Sequence, residues 1–225
     1  MWSRVARRVA LWVAMLGVVA AVVWVALPHY RPGLAAGERY GIDVSAHQGR
    51  VAWRAVAADD IDFAYPKASE GGDFVDERFA ENWRDAHAAG LDRGAYHFFT
   101  LCRPGADQAA NFLRTVPPDP TALAPAVDLE LKGNCSRRPT RPQFAAELDA
   151  FVTRVEKAWG RTMIVYTNDD FDDLYPVRDQ GRPLWEATYY RRPEERTWTI
   201  WQVTALASID GVNGGADLDI QRQVR

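Results

Sequence analysis

The sequence predicts an α/β fold, an irregular and shortened (β/α) barrel of the TIM type that is β-rich in its last third. Short apolar runs alternate with longer amphipathic stretches, which is typical of parallel strands joined by helical crossovers. Seven or eight such runs occupy about 185 residues, and the last runs have little room for helices between them. We therefore expect a compact barrel with short connections near its end.

The first 27 residues are expected to lie outside this barrel. Residues 9–27 carry no charge and follow three arginines, and at about 1.5 Å per helical residue they can cross a hydrocarbon layer of roughly 30 Å. Trp12 and Trp24, near the two ends of the run, favour an uncleaved membrane anchor, and a cleaved signal sequence is the alternative. With the arginines in the cytoplasm, the anchor predicts an inner-membrane protein that faces the periplasm or cell exterior. The alternative predicts a secreted protein.

The remaining chain is predicted to hold a linker, residues 28–39, and one folded domain, residues 40–225. The linker is rich in proline and glycine, so we expect a loose tether that reaches some 20 Å on average. Of 27 basic residues, 24 remain outside the first segment against 30 acidic ones, and no cations are clustered. This charge pattern argues against a nucleic-acid partner. We expect a monomer.

The elements follow from apolar runs and from their breakers. Strands are predicted at residues 41–44, 63–68, 94–100, 125–131, 162–166, 184–190 and 197–203, with strand character resuming around Asp217. Helices are predicted at residues 53–58, 76–89, 106–116 and 143–159. Gly90 and Gly160 stop the second and fourth helices. Pro66 removes a ladder donor from the second strand, so that strand is expected to be bent or locally unpaired.

Two carboxyl groups lie two residues apart in the apolar run PAVDLEL, at Asp128 and Glu130. In a strand they project from one face with Ala126, while Val127 and Leu129 project from the other. Each carboxylate raises the pKa of the other, and one tends to keep a proton. A glycosidase needs this arrangement, with one carboxyl to protonate the leaving oxygen and one to stabilise positive charge. A solvated loop with two unrelated acids is the alternative.

Two further acids occur at predicted strand ends, Asp43 in GIDVS and Asp217 in GGADLDI. An aspartate between apolar residues is disfavoured unless it is paired, functional or caps a turn. Acids that converge from the ends of several strands are typical of a barrel active site. Asp43 and Asp217 therefore join Asp128 and Glu130 as candidate catalytic residues.

Aromatic side chains supply the candidate substrate-binding residues, because sugar faces pack well on aromatic rings. Tyr96, Tyr166 and Trp201 are predicted to line the cleft. His97 is a further candidate for substrate binding, with a structural hydrogen bond as the alternative. The sequence predicts no metal and no cofactor, since the histidines lack ligand spacing with the cysteines and no phosphate-binding loop, G-x-S-x-G or H-E-x-x-H motif occurs.

The chain has two cysteines, Cys102 and Cys135. In an oxidising compartment a lone pair of cysteines usually forms one disulfide, which here would close a loop of about 34 residues. We expect this bridge to join the loops that follow the third and fourth strands. Two buried free thiols are the alternative.

With these residues identified, the chain resembles the glycoside hydrolase family 25 lysozymes, the Chalaropsis-type muramidases. The resemblance runs from about Tyr40 onward through eight motifs in order: GIDVSAHQG, FAYPKASEG, GAYHFF, PAVDLE, IVYTN, LWEATY, IWQ and GADLDI. It implies a flattened barrel with its site at the carboxyl ends of the strands. It also implies hydrolysis, without a metal, of the β-1,4 bond from N-acetylmuramic acid to N-acetylglucosamine in peptidoglycan.

The resemblance implies a role for each acid. Glu130 corresponds to the general acid, and Asp128 to a second carboxylate that is the nucleophile or steadies the 2-acetamido group of the substrate. Asp43 and Asp217 correspond to two further acids of the site. Non-catalytic binding of peptidoglycan, or hydrolysis of another amino-sugar polymer such as chitin, are the alternative functions.

The sequence departs from the family pattern at three places besides Pro66. Glu186 stands where an apolar residue is more usual, and Asp219 takes the place of a common asparagine. The pair Cys102 and Cys135 is not general to the family. None of these departures removes a predicted catalytic carboxylate.

Overall fold

A computed structural model describes residues 2–194 and 198–222. The strands are β1 (Glu38–Val44), β2 (Phe63–Glu70), β3 (Phe74–Val75), β4 (Asp92–Arg93), β5 (Tyr96–Phe98), β6 (Ala126–Leu129), β7 (Ile164–Thr167), β8 (Leu184–Ala187), β9 (Ile200–Ala207) and β10 (Ala216–Arg222). The helices are α1 (Trp2–Ala26), α2 (Trp53–Ala58), α3 (Phe79–Ala88), α4 (Gly105–Thr115), α5 (Arg141–Trp159) and α6 (Asp169–Leu174). Met1, Thr197 at the start of the predicted seventh strand, and residues 223–225 of the predicted domain lie outside the described residues.

Eight strands close into a barrel in the order β1, β2, β5, β6, β7, β8, β9 and β10. Neighbouring strands from β1 to β9 are parallel, and the short β3 and β4 pair with β2. The predicted barrel is confirmed, with one addition. β10 runs antiparallel between β9 and β1, because a short loop joins it to β9 where a parallel neighbour would need a longer crossover.

The side chains form three apolar layers. The barrel interior is filled by residues from β2, β6, β7, β8 and β9, and the rings of Tyr65 and Trp185 meet across it at 5.0 Å. Outside the barrel, one cluster packs α4, α5 and α6 against β5, β6 and β7, and another packs α2 and part of α3 against β1, β9 and β10. Each strand therefore has an inner and an outer face with separate surroundings.

The four predicted helices are present, and three of them, α3, α4 and α5, have shifted ends. α5 begins two residues earlier than predicted because Thr140 and Gln143 form a capping box, and it ends at Gly160, which adopts the left-handed conformation. α6 was not predicted, because the acidic run DDFDDL shows little helical periodicity. β2 carries a register shift against β5 between Lys67 and Ser69, just after Pro66.

The N-terminal helix and the segment after it behave differently from one another. Ala6–His29 has a mean hydropathy of 2.5 and is long enough to cross a membrane, and residues 6–26 are exposed. The segment of residues 28–39 packs on the barrel. The Ser208 amide donates to the Pro28 carbonyl (2.7 Å), and Arg31 forms an ion pair with Asp59 (2.6 Å). The prediction of a loose tether is therefore wrong, because these contacts hold the segment against the domain.

Candidate active site

A cleft of about 600 Å³ opens at the carboxyl ends of the barrel strands. Its lining includes all four predicted catalytic acids and two of the predicted aromatic residues: Asp43, Asp128, Glu130, Asp217, Tyr96 and Tyr166. Acids from β1, β6 and β10 therefore meet at one site, as the positions of these acids at strand ends predict.

Strand β6 positions the central carboxyl groups. Ala126 packs inside the barrel, whereas Val127 and Leu129 pack in the outer cluster that contains α4, α5 and α6. Asp128 therefore shares the inner face with Ala126, as predicted. Asp128 is only 8% exposed, and its Oδ1 has no hydrogen-bond partner among the described residues. Burial raises its pKa well above the usual range, and the neighbouring Glu130 adds to the shift.

Glu130 follows the end of β6 and lies half-buried at the cleft. Burial raises its pKa to about 7, while Lys132 opposes the shift and Asp217 adds to it. A carboxyl group with a pKa near neutrality holds a proton in part of the molecules at neutral pH. It can therefore donate that proton to a bound substrate.

Asp43 and Asp217 are direct partners in the antiparallel ladder of β1 and β10. Gln202 Nε2 donates to Asp43 Oδ2 (2.9 Å), and Tyr166 Oη donates to Gln202 Oε1 (3.0 Å). Burial raises the pKa of Asp43 well above its usual range, and Asp217 adds to the shift. Burial also raises the pKa of Asp217 to about 6, against the opposing charge of Lys132. The cleft therefore concentrates acids that each disfavour ionisation of the others.

The sequence of this chain is similar to those of known proteins. The model of the Glycosyl hydrolases family 25 matches residues 42–212. The chain belongs to glycoside hydrolase family 25. It is 34% identical over 193 residues to the uncharacterised protein YegX of Escherichia coli, covering 80% of this chain and 68% of that protein. It is 31% identical to Lysozyme M1 of Streptomyces globisporus over 79% of this chain and 65% of that enzyme.

A solved structure supports the same assignment. A family 25 glycosyl hydrolase from Bacillus anthracis superposes with a TM-score of 0.78 at 32% identity, covering 88% of this chain and 94% of that one. The chain is thus a glycoside hydrolase with the family 25 fold, and lysozymes are among its relatives.

Trp201 does not lie in the cleft of this family 25 enzyme. Its side chain is 1% exposed and packs with Trp198 and Val203 in the outer cluster that contains α2. Its Nε1 donates to the Thr188 carbonyl (3.0 Å). Its neighbours in β9, Ile200 and Gln202, face the interior instead. We correct the prediction of substrate binding, because alternation along β9 turns Trp201 outward.

His97 is also on the outer face, between the inward residues Tyr96 and Phe98. Its side chain is fully buried, with Nδ1 2.8 Å from Ser69 Oγ, Nε2 3.2 Å from the Gln108 side-chain oxygen, and its ring stacked on Phe151. Burial lowers its pKa to about 3, so the ring is neutral. The prediction of substrate binding is corrected, and the alternative of structural hydrogen bonds describes this residue.

Sequence reasoning missed several residues of the cleft. Gln202, Lys67, Trp185 and Tyr189 all contribute to its lining. Lys67 Nζ pairs with Glu70 (2.7 Å) and lies 4.9 Å from the centre of the Phe98 ring. Side chains alternate between the two faces of a strand, so Gln202 and Trp201 in the motif IWQ must face opposite sides. This alternation was the signal in the sequence that could have identified Gln202 as a cleft residue.

The structure also explains two departures from the family pattern. Cys102 and Cys135 form a disulfide, with Cα atoms 6.4 Å apart, that joins the loops after β5 and β6. These are the third and fourth barrel strands, as predicted. Glu186 lies buried on the outer face of β8 and accepts from Arg178 Nε (3.0 Å), so its charge is paired away from the cleft.

Proposed function

We propose that this enzyme is a muramidase that hydrolyses the β-1,4 bond between N-acetylmuramic acid and N-acetylglucosamine in peptidoglycan. The proposal assigns Glu130 as general acid and Asp128 as second catalytic carboxylate. Family membership and the likeness to Lysozyme M1 support the substrate class. The observation that carries the proposal is the pair of cleft carboxyl groups at the end of β6, Asp128 and Glu130, of which the more accessible, Glu130, has a pKa raised to about 7.

In this mechanism the two carboxyl groups divide the chemistry. Glu130 donates its proton to the glycosidic oxygen as the bond to the sugar breaks. Asp128 lies deeper in the cleft and stabilises the positive charge that develops on the sugar ring. It does so as nucleophile, or by steadying the 2-acetamido group of the substrate. When Asp128 is ionised, its Oδ1 has no hydrogen-bond donor among the described residues and little water screens it, so the carboxylate interacts strongly with such a charge.

The other acids support a cationic transition state. Asp43 is oriented by Gln202, and Asp217 lies beside it in the ladder. Because Asp43 and Asp217 lie near Asp128 and Glu130, they disfavour further negative charge and favour positive charge at the reacting centre. Tyr96 and Tyr166 also line the cleft, and we assign their rings to packing against the sugar.

Digestion of purified peptidoglycan by the full-length chain in detergent tests the proposal. After borohydride reduction of the products, a muramidase leaves reduced muramic acid at the new ends. Reduced glucosamine at those ends, or hydrolysis of chitin oligosaccharides alone, would show that the assigned bond is wrong. Retention of the chain on peptidoglycan without any product would favour the non-catalytic alternative, and Glu130→Gln serves as the inactive control.

We further propose that residues 9–27 form an uncleaved anchor and that the enzyme acts on peptidoglycan close to the outer face of the inner membrane. The length and hydropathy of the helix support this, together with the arginines before it and the exposed rings of Trp12 and Trp24. The docking of residues 28–39 keeps the barrel next to the helix end, since the segment is not free to extend.

N-terminal sequencing of the exported protein tests the anchor. We expect a terminus near Met1 and retention in membranes after washing with high salt. A mature terminus between residues 27 and 40 would overturn the anchor and favour secretion after cleavage.

A further inference from the structure

Three large side chains, Tyr30, Tyr190 and Leu206, form one exposed surface, which we call the rim patch. Each of these residues is between 36% and 54% exposed. The ring centroids of Tyr30 and Tyr190 lie 5.9 Å apart. The Tyr190 hydroxyl lies 2.6 Å from Thr204 Oγ1, and the Leu206 amide donates to the same oxygen (3.1 Å). The segment before β1, the loop after β8 and the end of β9 therefore build this surface together.

The backbone of Tyr190 is strained. Its φ is 59°, in the left-handed region that bulky side chains rarely adopt. Two contacts maintain this conformation: the Tyr190 amide donates to the Val203 carbonyl (2.8 Å), and the hydroxyl is held by Thr204. Strain that the surrounding structure maintains is typical of functional positions. The position of the Tyr190 ring therefore indicates a use beyond the packing of the domain.

The rim patch adjoins the end of the N-terminal helix. The uncharged run of residues 9–27 ends just before Pro28, whose carbonyl accepts a hydrogen bond from the Ser208 amide (2.7 Å). Leu206 lies two residues from Ser208, and Tyr30 two residues from Pro28. Two residues span at most about 7 Å, and each headgroup layer of a bilayer is roughly 5–8 Å thick. With the uncharged run in the hydrocarbon layer, the rim patch therefore lies at the level of the headgroups.

The chemistry of the rim patch fits a bilayer interface. Tyrosine rings are enriched at the level of the headgroups, where the ring has apolar surroundings and the hydroxyl stays near polar groups. An exposed leucine gains free energy when it reaches the boundary of the acyl chains. The exposed ring of Trp24, close to the end of the helix, adds a third aromatic group at the same level.

We propose that the rim patch rests in the headgroup region of the bilayer that holds the anchor. This inference rests on the proposed anchor, but not on the bond that the enzyme cleaves. Tyr189 and Ala205 line the cleft and directly precede Tyr190 and Leu206. Docking therefore holds this side of the cleft beside the bilayer and fixes the orientation of the barrel. The glycan within reach is the part of the wall next to the membrane.

A spin label on the full-length chain in vesicles tests the contact. The vesicles contain phosphatidylethanolamine and phosphatidylglycerol. Leu206→Cys carries the nitroxide, because the two native cysteines are joined in the disulfide. Val75→Cys is the matched control, since Val75 is 48% exposed on β3, whose partner β2 is separated from β9 by β1 and β10. We expect the accessibility to oxygen, relative to a water-soluble nickel chelate, to be roughly twofold or more higher at position 206.

Equal ratios of the two accessibilities at positions 206 and 75 would overturn the proposal. Dipolar broadening between labels at position 206 that persists in detergent would assign the rim patch to a second copy of the chain. Protection of the label only after addition of peptidoglycan would assign it to the glycan, and either result would also overturn the proposal. N-terminal sequencing and the analysis of muropeptides test the anchor and the cleaved bond separately, so failure of the docking is distinguishable from failure of either.

Two substitutions of Leu206 test the apolar contact itself, with the label moved to Ser208→Cys. Leu206→Met keeps an apolar side chain, whereas Leu206→Asp places a charge in the interface. We expect the ratio of oxygen to nickel accessibility to fall roughly two- to fivefold in the aspartate variant and to stay unchanged in the methionine variant. Hydrolysis of peptidoglycan in detergent should be the same in both, because Ala205 rather than Leu206 lines the cleft. Equal accessibility ratios in the two variants would contradict the proposal.

Discussion

On the inner face of the barrel, Asp43, Asp128 and Asp219 are buried near one another, whereas the outer face buries His97 and Glu186 separately. The outer groups have partners for their polar atoms, in two hydrogen bonds and an ion pair. The inner groups include two carboxyl oxygens without a donor among the described residues. The unsatisfied oxygen of Asp128 lies at the cleft, where a bound substrate can supply its partner.

Burial itself acts in the same direction on both faces, because it disfavours the charged form of each group. On the outer face it lowers the pKa of His97 to about 3 and leaves a neutral ring held by its neighbours. On the inner face it raises the pKa of Glu130 to about 7 and leaves a proton donor beside open space. The difference in function therefore comes from which side of the strand the group occupies.

The largest expected effect is on catalysis by the inner face. Glu130→Gln keeps the shape of the carboxyl but supplies no proton, so kcat on peptidoglycan should fall by about 10²–10⁴-fold. Release of muropeptides measures this loss, and circular dichroism confirms that the fold is retained. Activity within threefold of the unmodified enzyme would rule out the assignment of Glu130.

The disulfide tests how far the inner face depends on the loops at its rim. Replacing Cys102 and Cys135 by serine opens the loop between two positions 33 apart in sequence and should lower the free energy of unfolding by roughly 3–4 kcal/mol. Urea denaturation under non-reducing conditions measures the change. Equal midpoints for the two proteins would show that the bridge contributes no stability in solution.

Substitution of His97 removes hydrogen bonds on the outer face of the barrel only. His97→Leu leaves Ser69 and Gln108 without their buried partner and should destabilise the protein by about 2–4 kcal/mol. The acid and alkaline limbs of kcat/KM should remain in place, because the ring does not reach the cleft. A displaced limb in a folded variant would return His97 to the site.

The smallest expected effect is the dependence of stability on pH. Glu130 has an ordinary pKa of 4.5, raised to about 7 in the fold, and Asp217 one of 3.8, raised to about 6. The contribution of these two groups to the free energy of unfolding is therefore fully present below about pH 4 and is lost as the pH rises toward 7. For Glu130 the loss is about 1–3 kcal/mol after allowance for its partial exposure.

Thermal denaturation of the unmodified enzyme and of Glu130→Gln measures this dependence. We expect the substitution to raise Tm at neutral pH and to flatten the fall in stability between about pH 4 and 7. A steeper fall of stability in the variant, or a lower Tm at neutral pH, would show that ionisation of Glu130 does not destabilise the folded protein.

Local pattern was sufficient where a structural rule depends on neighbouring residues. The alternation in PAVDLEL correctly predicted that Asp128 shares the inner face with Ala126. The same rule, applied to GAYHFF and IWQ, would have turned His97 and Trp201 outward, because each directly adjoins an inward residue. Those two errors came from judging residue type before strand face.

By itself, the sequence determined the barrel, its family and the strands that carry the acids, because periodicity and motifs are properties of short segments. Only the tertiary structure decided that β10 runs antiparallel, that residues 28–39 pack on the domain, and that Asp43 pairs with Asp217 across the ladder of β1 and β10. Gln202 and Asp43 are 159 positions apart, yet they share a hydrogen bond in the closed barrel. Such contacts depend on the register of distant strands, which the packing of the whole domain sets and no local pattern contains.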